Sequence, residues 1–176
     1  KTSDYASLIR ELCPEIYHKD YTQLDLVEIP TIERIIWIDE PESDETFGFM
    51  QKFSAWMSEG DANDPRVAER QTQLKNTDAI NVQFTSGTTG TPKGATLSHR
   101  NILNNGYFIG EAMNLTEEDR LCIPVPLYHC FGMVLGNLAI LTHGGCIVYP
   151  NDGFEPLTVL QAVEEEKCTG LHGVPT

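Results

Sequence analysis

The residues best equipped for chemistry lie in one run, Phe-Thr-Ser-Gly-Thr-Thr-Gly-Thr-Pro-Lys-Gly at positions 84–94. Thr85, Ser86, Thr88 and Thr89 carry hydroxyls that can donate to oxyanions. Gly87 and Gly90 permit positive φ and a close approach of backbone to a ligand, so successive N–H groups can form an anion-binding nest. Lys93, set between Pro92 and Gly94, adds a mobile positive charge. Hydroxyls, amides and one cation together suit a polyphosphate. Stretches rich in Gly, Ser and Thr also serve as flexible linkers; the Pro-Lys-Gly ending and the ordered flanks favour the ligand loop.

The flanking residues say what positions this loop. Ile80, Val82 and Phe84 alternate with Asn81 and Gln83, the period of a half-buried strand. The loop differs from a Walker A motif, which ends in Gly-Lys-Ser/Thr and runs straight into a helix. Here the chain after Lys93 still reads as extended through Leu97. A helix begins only at Ser98, an N-cap residue, with Ile102, Leu103, Phe108, Ile109 and Met113 at helical spacing. The expected order is strand, loop, short strand, helix.

Elsewhere the pattern predicts a helix over Tyr5–Leu12 stopped by Pro14, a buried strand over residues 32–38, and an amphipathic helix over 47–57. A polar, mobile stretch is expected over 58–77. Further on come a strand at 121–125, a glycine-containing helix at 132–142, a strand at 146–149, a helix at 157–167 and a strand beginning at Gly170. Alternating strands and helices define an α/β protein, and such units imply parallel pairing with right-handed crossovers.

Composition excludes more than it identifies. The 176 residues carry 12 basic and 26 acidic side chains, a net charge of −14. That balance argues against nucleic acid or an anionic membrane surface as a partner. The acidic runs near Asp39–Glu45 and Glu164–Glu166 read as solvated faces. The five cysteines contain no Cys-x-x-Cys pair and read as reduced intracellular thiols. The most apolar stretch, residues 133–141, is too short to span a bilayer.

The run at 84–94 resembles the phosphate-loop signature of the adenylate-forming enzymes, which include acyl-CoA synthetases, firefly-type luciferases and peptide-synthetase adenylation domains. The resemblance continues through His99-Arg100-Asn101, resumes at Val125-Pro126-Leu127-Tyr128-His129-Cys130-Phe131-Gly132, and again at Gly173-Val174-Pro175-Thr176. Within that superfamily the chain is most similar to fatty acyl-CoA synthetases of the medium-chain, family-member-2 type. The resemblance implies part of a layered αβαβα amino-terminal domain with mixed, mostly parallel sheets. Residues 1–97 would belong to a first subdomain ending in the phosphate loop, and residues 98–176 to a second with an acyl-pocket segment.

It also implies roles. Thr85, Ser86, Gly87, Thr88, Thr89, Gly90, Thr91, Pro92, Lys93 and Gly94 would hold the phosphates of ATP, with Thr88 turned toward Mg²⁺. His129 would line the acyl pocket beside the reacting carboxylate, whereas alone a histidine on an apolar segment is more often a packing residue. Gly132, Met133 and Leu135 could border an acyl tunnel or simply pack. His18, His143 and His172 carry no readable chemistry. The implied substrates are a fatty acid, ATP and CoA, in an intracellular and by resemblance mitochondrial setting. Family groups for adenine, ribose and the catalytic lysine have no match here, so the 176 residues are expected to be part of an enzyme and inactive alone. A carrier-loading adenylation domain and a non-catalytic nucleotide-binding protein remain open beside the acyl-CoA synthetase. Oligomeric state is unreadable.

Overall fold

The computed structural model describes residues 4–38, 48–86 and 90–174. It divides into two compact units, Lys1–Gln71 and Thr72–Thr176.

In the first unit, helix α1 (Tyr5–Leu12) starts where expected. Asp4 caps it, accepting from the Ser7 backbone N–H at 3.0 Å and the Ser7 hydroxyl at 2.6 Å, and a 3₁₀ turn over Pro14–His18 follows. Cys13, Ile16, Leu24, Leu26 and Phe49 form the core here, with Ile9 and Ile35 packed on it. The strand expected over 32–38 shrinks to β1 (Ile36–Trp37), paired in parallel with β2 (Gln51–Lys52). Ile32 and Ile38 are exposed, so β-branched content there reflects local preference without burial. The expected 47–57 helix becomes β2 followed by α2 (Phe53–Ser58). The polar stretch expected to be mobile contains helix α3 (Pro65–Gln73). Its apolar content is low and no residue of it is buried, which is why the helical period was faint.

The second unit opens with an antiparallel hairpin. Strand β3 (Ala79–Thr85) pairs with β4 (Lys93–Ser98), Phe84 facing Gly94 and Thr85 facing Lys93. Ser98 then caps helix α4 (His99–Met113) through a capping box: its hydroxyl accepts from the Asn101 N–H at 3.3 Å, while the Asn101 side-chain oxygen accepts from the Ser98 N–H at 3.0 Å. Asn114 closes the helix in the left-handed region at φ 54°, a conformation asparagine tolerates.

A three-stranded parallel sheet follows, ordered β6 (Cys146–Val148), β5 (Arg120–Cys122), β7 (Gly170–Leu171). The parallel expectation holds for this sheet. Between β5 and β6 the chain forms a π-helix over Phe131–Leu138 that tightens into α5 (Ala139–Leu141). Ala139 N–H reaches the Val134 carbonyl, five residues back. Such wide turns are rare and concentrate at functional sites. Helix α6 (Pro156–Glu165), capped by Glu155, leads into β7. Leu121, Ile123 and Ile140 form the core of this unit, and the five cysteines are free.

Candidate active site

The hairpin brings the predicted phosphate-binding residues to one end. Thr85 and Lys93 close its mouth as a cross-strand pair, with the Thr85 hydroxyl 3.5 Å from the Lys93 carbonyl oxygen. Thr85, Ser86, Gly90, Thr91, Pro92, Lys93 and Gly94 are all exposed; Gly87, Thr88 and Thr89 lie outside the described residues. Gly90 has φ +85° with nothing within 4 Å of where a Cβ would stand. Its glycine answers to backbone conformation, not to crowding. Among the described residues the Lys93 ammonium makes no ion pair, leaving its charge available to an anion.

The second feature is a cavity of about 650 Å³ past the end of β5, lined by Val125, Tyr128, His129, Phe131, Leu160 and His172 among others. That is an ordinary size for a small-molecule site. Carbon dominates its walls, with prolines 124, 126 and 156 joining the aliphatic and aromatic side chains. Turn geometry places His129, its N–H donating to the Pro126 carbonyl at 3.2 Å. The imidazole then caps the π-helix: Nδ1 accepts from the Phe131 N–H at 3.1 Å. A nitrogen that accepts carries no hydrogen, so in this arrangement the ring proton is on Nε2. His129 is therefore a donor at the tip of an exposed ring on an apolar cavity, a fitting group to hold a carboxylate oxygen.

Gly132 does not border the cavity. A Cβ there would lie 2.5 Å from the Pro126 carbonyl oxygen, so this glycine lets the helix approach the preceding turn. Met133 and Leu135 are likewise absent from the cavity wall. Residues the sequence did not single out do line it: Phe131, Phe154, Val159, Leu160 and His172. The sequence predicted the helix over 157–167 that carries Val159 and Leu160, but not that it would line a cavity. No hydrogen bond or ion pair among the described residues joins the hairpin loop to His129.

Acidic residues do not gather at either place; among the described residues no group of three His, Cys, Asp or Glu side chains could hold a metal.

The hairpin end thus presents hydroxyls and a lysine that makes no ion pair among the described residues, and the cavity presents a histidine N–H among apolar walls. The profile of the AMP-binding enzyme family matches residues 12–176, and the chain belongs to that family. It is 57% identical over 110 residues to the acyl-CoA ligase sidI of Aspergillus fumigatus, covering 62% of this chain and 19% of the relative. It is 38% identical over 178 residues to the mitochondrial medium-chain acyl-CoA ligase ACSF2 of Danio rerio, covering 100% of this chain and 29% of that one. Among solved structures, ATP-bound MatB from Rhodopseudomonas palustris superposes with a TM-score of 0.52 at 31% identity, over 58% of this chain and 20% of that protein. The chain thus spans less than a third of the relatives it matches. Among the described residues no helix is long and apolar enough to cross a membrane.

Proposed function

We propose that the protein carrying this chain is an ATP-dependent acyl-CoA synthetase acting on a fatty acid, of medium chain length by likeness to ACSF2, with CoA as the acyl acceptor. One observation carries the reading: a carbon-walled cavity opens at His129, inside a chain whose family handles AMP. The same likeness favours a mitochondrial location. Residues 1–97 and 98–176 would then belong to successive subdomains, joined at the hairpin loop.

A carboxylate resists a thiol because oxide is a poor leaving group. In the first half-reaction a carboxylate oxygen attacks the α-phosphorus, the bond to the bridging oxygen breaks, and pyrophosphate departs. In the second, the CoA sulfur attacks the acyl carbon, AMP leaves with its oxygen, and the thiol proton passes to solvent. The first step demands positioning and charge stabilisation more than proton transfer. His129 would hold one carboxylate oxygen through Nε2–H while the acyl chain fills the cavity. Lys93 and the loop from Thr85 to Gly94 would hold the β- and γ-phosphates and then the pyrophosphate. Mg²⁺ would neutralise phosphate charge when bound, and Thr88 is the hydroxyl we assign to holding it. General-base work by His129 is unnecessary, since the acid is ionised near neutral pH.

The test is to express the full reading frame and incubate the product with ATP, Mg²⁺, CoA and straight-chain acids from acetate to palmitate. AMP, pyrophosphate and thioester formed in equal amounts are expected, with a maximum at intermediate length. Adenylate without thioester would favour transfer to a carrier protein. Neither product would exclude the assignment.

A further inference from the structure

His172 belongs to the sheet and to the cavity at once. Its peptide N–H donates to the Cys122 carbonyl at 3.0 Å, just past β7, and the residue is 9% exposed. Its side chain reaches the π-helix at two levels. The imidazole packs on the Phe131 ring, centroids 4.9 Å apart with planes at 55°. One turn further along, Nε2 lies 3.0 Å from the Leu135 carbonyl oxygen. A carbonyl can only accept, so that bond places the hydrogen on Nε2. Both rings line the cavity.

A histidine that spends its N–H on a backbone carbonyl is poorly placed to give that proton to a substrate. It is well placed as a strut. The helix it braces begins two residues after His129, and His129 caps that helix through the Phe131 N–H. The wall formed by Phe131 therefore depends on a contact supplied by the residue just past β7.

We propose that His172 is a positioning and specificity-determining residue. By bonding the Leu135 carbonyl and packing on Phe131, it fixes the wall that limits how far an acyl chain can extend. This rests on the acyl-CoA synthetase reading for its substrate, but the strut itself does not.

Three substitutions in the enzyme expressed from its full reading frame separate the contributions. His172→Gln keeps an N–H donor, His172→Leu keeps bulk without a donor, and His172→Ala removes both. The reading is the ratio of kcat/KM for fatty acids two methylenes apart. In the Leu and Ala variants the ratio should move toward the longer acid by on the order of tenfold, because each methylene given new apolar space contributes roughly fourfold. The change should lie in KM more than in kcat. The Gln variant should stay within about a factor of two of the original ratio, by the same scale. An unmoved ratio in the Ala variant, or Leu behaving like Gln, overturns the proposal. If the Ala and Leu proteins do not fold, Phe131→Leu opens the same wall from the other ring; its ratio must shift the same way, and an unchanged one overturns the idea.

Failure of the wild-type enzyme to activate any fatty acid would sink the acyl-CoA synthetase reading instead. Amide hydrogen exchange across residues 131–138 then still tests the strut. Faster exchange in the Leu variant but not in the Gln variant upholds it, and equal rates overturn it.

Discussion

At the residue scale, Lys93 and His129 stand out in the sequence because each sits in a short pattern whose chemistry is local, and their proposed roles are for substitution to test. His172 does not stand out. Its partner carbonyl is 37 residues away in sequence, and no spacing rule links the two. Gly132 was open between tunnel and packing, and the close Pro126 carbonyl, a matter of backbone conformation that residue type does not announce, decides for packing. If the loop serves the phosphates, Lys93→Ala and Thr88→Ala should each slow acyl-adenylate formation by roughly ten- to a hundredfold, the worth of one charge-assisted hydrogen bond. Pyrophosphate exchange is the direct measurement, and full activity in both variants would refute the assignment. The cysteines give a second residue-level expectation. Burial first, and then the neighbouring Cys168, push the Cys122 thiol up to about 11, and the side chain has no solvent access. Cys130 is exposed. Thiolate is the reactive form, so a thiol reagent at neutral pH should label Cys130 well before Cys122. Peptide mass spectrometry after brief exposure reads the order, and early labelling of Cys122 in the folded protein would contradict the packing.

At the scale of elements, helix α4 and its cap followed from sequence because a capping box is a four-residue device. The strand, loop, strand order was also foreseen, though not its antiparallel pairing, and its apolar residues Ile80, Val82 and Phe84 are exposed while Asn81 and Gln83 are half-buried. Alternation gave the strand but not which face is covered, since that depends on what packs against it. The two-residue strands β1 and β2 exist only through their pairing, so no period could announce them. The π-helix likewise read as an ordinary helix, because its glycine and apolar content fits either ladder. The approach to β5 and the residue before β7 are tied by Asp119, which accepts from the Thr169 hydroxyl at 2.7 Å and the Thr116 N–H at 2.8 Å. Those bonds, Thr169 foremost, hold the Asp119 carboxyl below its ordinary value of 3.8. A lowered folded pKa means the group's contribution is fully present above the unfolded value and is lost as pH falls through the folded one. Asp119→Asn should therefore weaken the protein near neutrality and flatten the acid limb of its stability curve below the ordinary carboxylate range. Urea titrations at neutral and acidic pH would show it; an unaltered acid limb would remove Asp119 from the account.

At the scale of the whole chain, the alternation of strand and helix patterns along the sequence gave the α/β class, while the division into Lys1–Gln71 and Thr72–Thr176 needed the fold. Each unit has its own buried cluster: Cys13, Ile16, Leu24, Leu26 and Phe49 in one, Leu121, Ile123 and Ile140 in the other. Stability resides in such clusters, and a chain with two of them can open region by region. Ile140 is fully buried between β5 and the end of the π-helix region, touching Leu121 and Ile123 in the same cluster. Truncating it to alanine leaves a cavity and should cost about 2–5 kcal/mol, the usual penalty for such a change in a packed core. Leu26, 1% exposed, is the corresponding probe in the other cluster. Residue-resolved hydrogen exchange should show Ile140→Ala accelerating the amides of β5, β6 and α5 while those of α1 keep their rates, and Leu26→Ala doing the reverse. Equal acceleration of both sets by either substitution would mean that the two clusters unfold as one cooperative body.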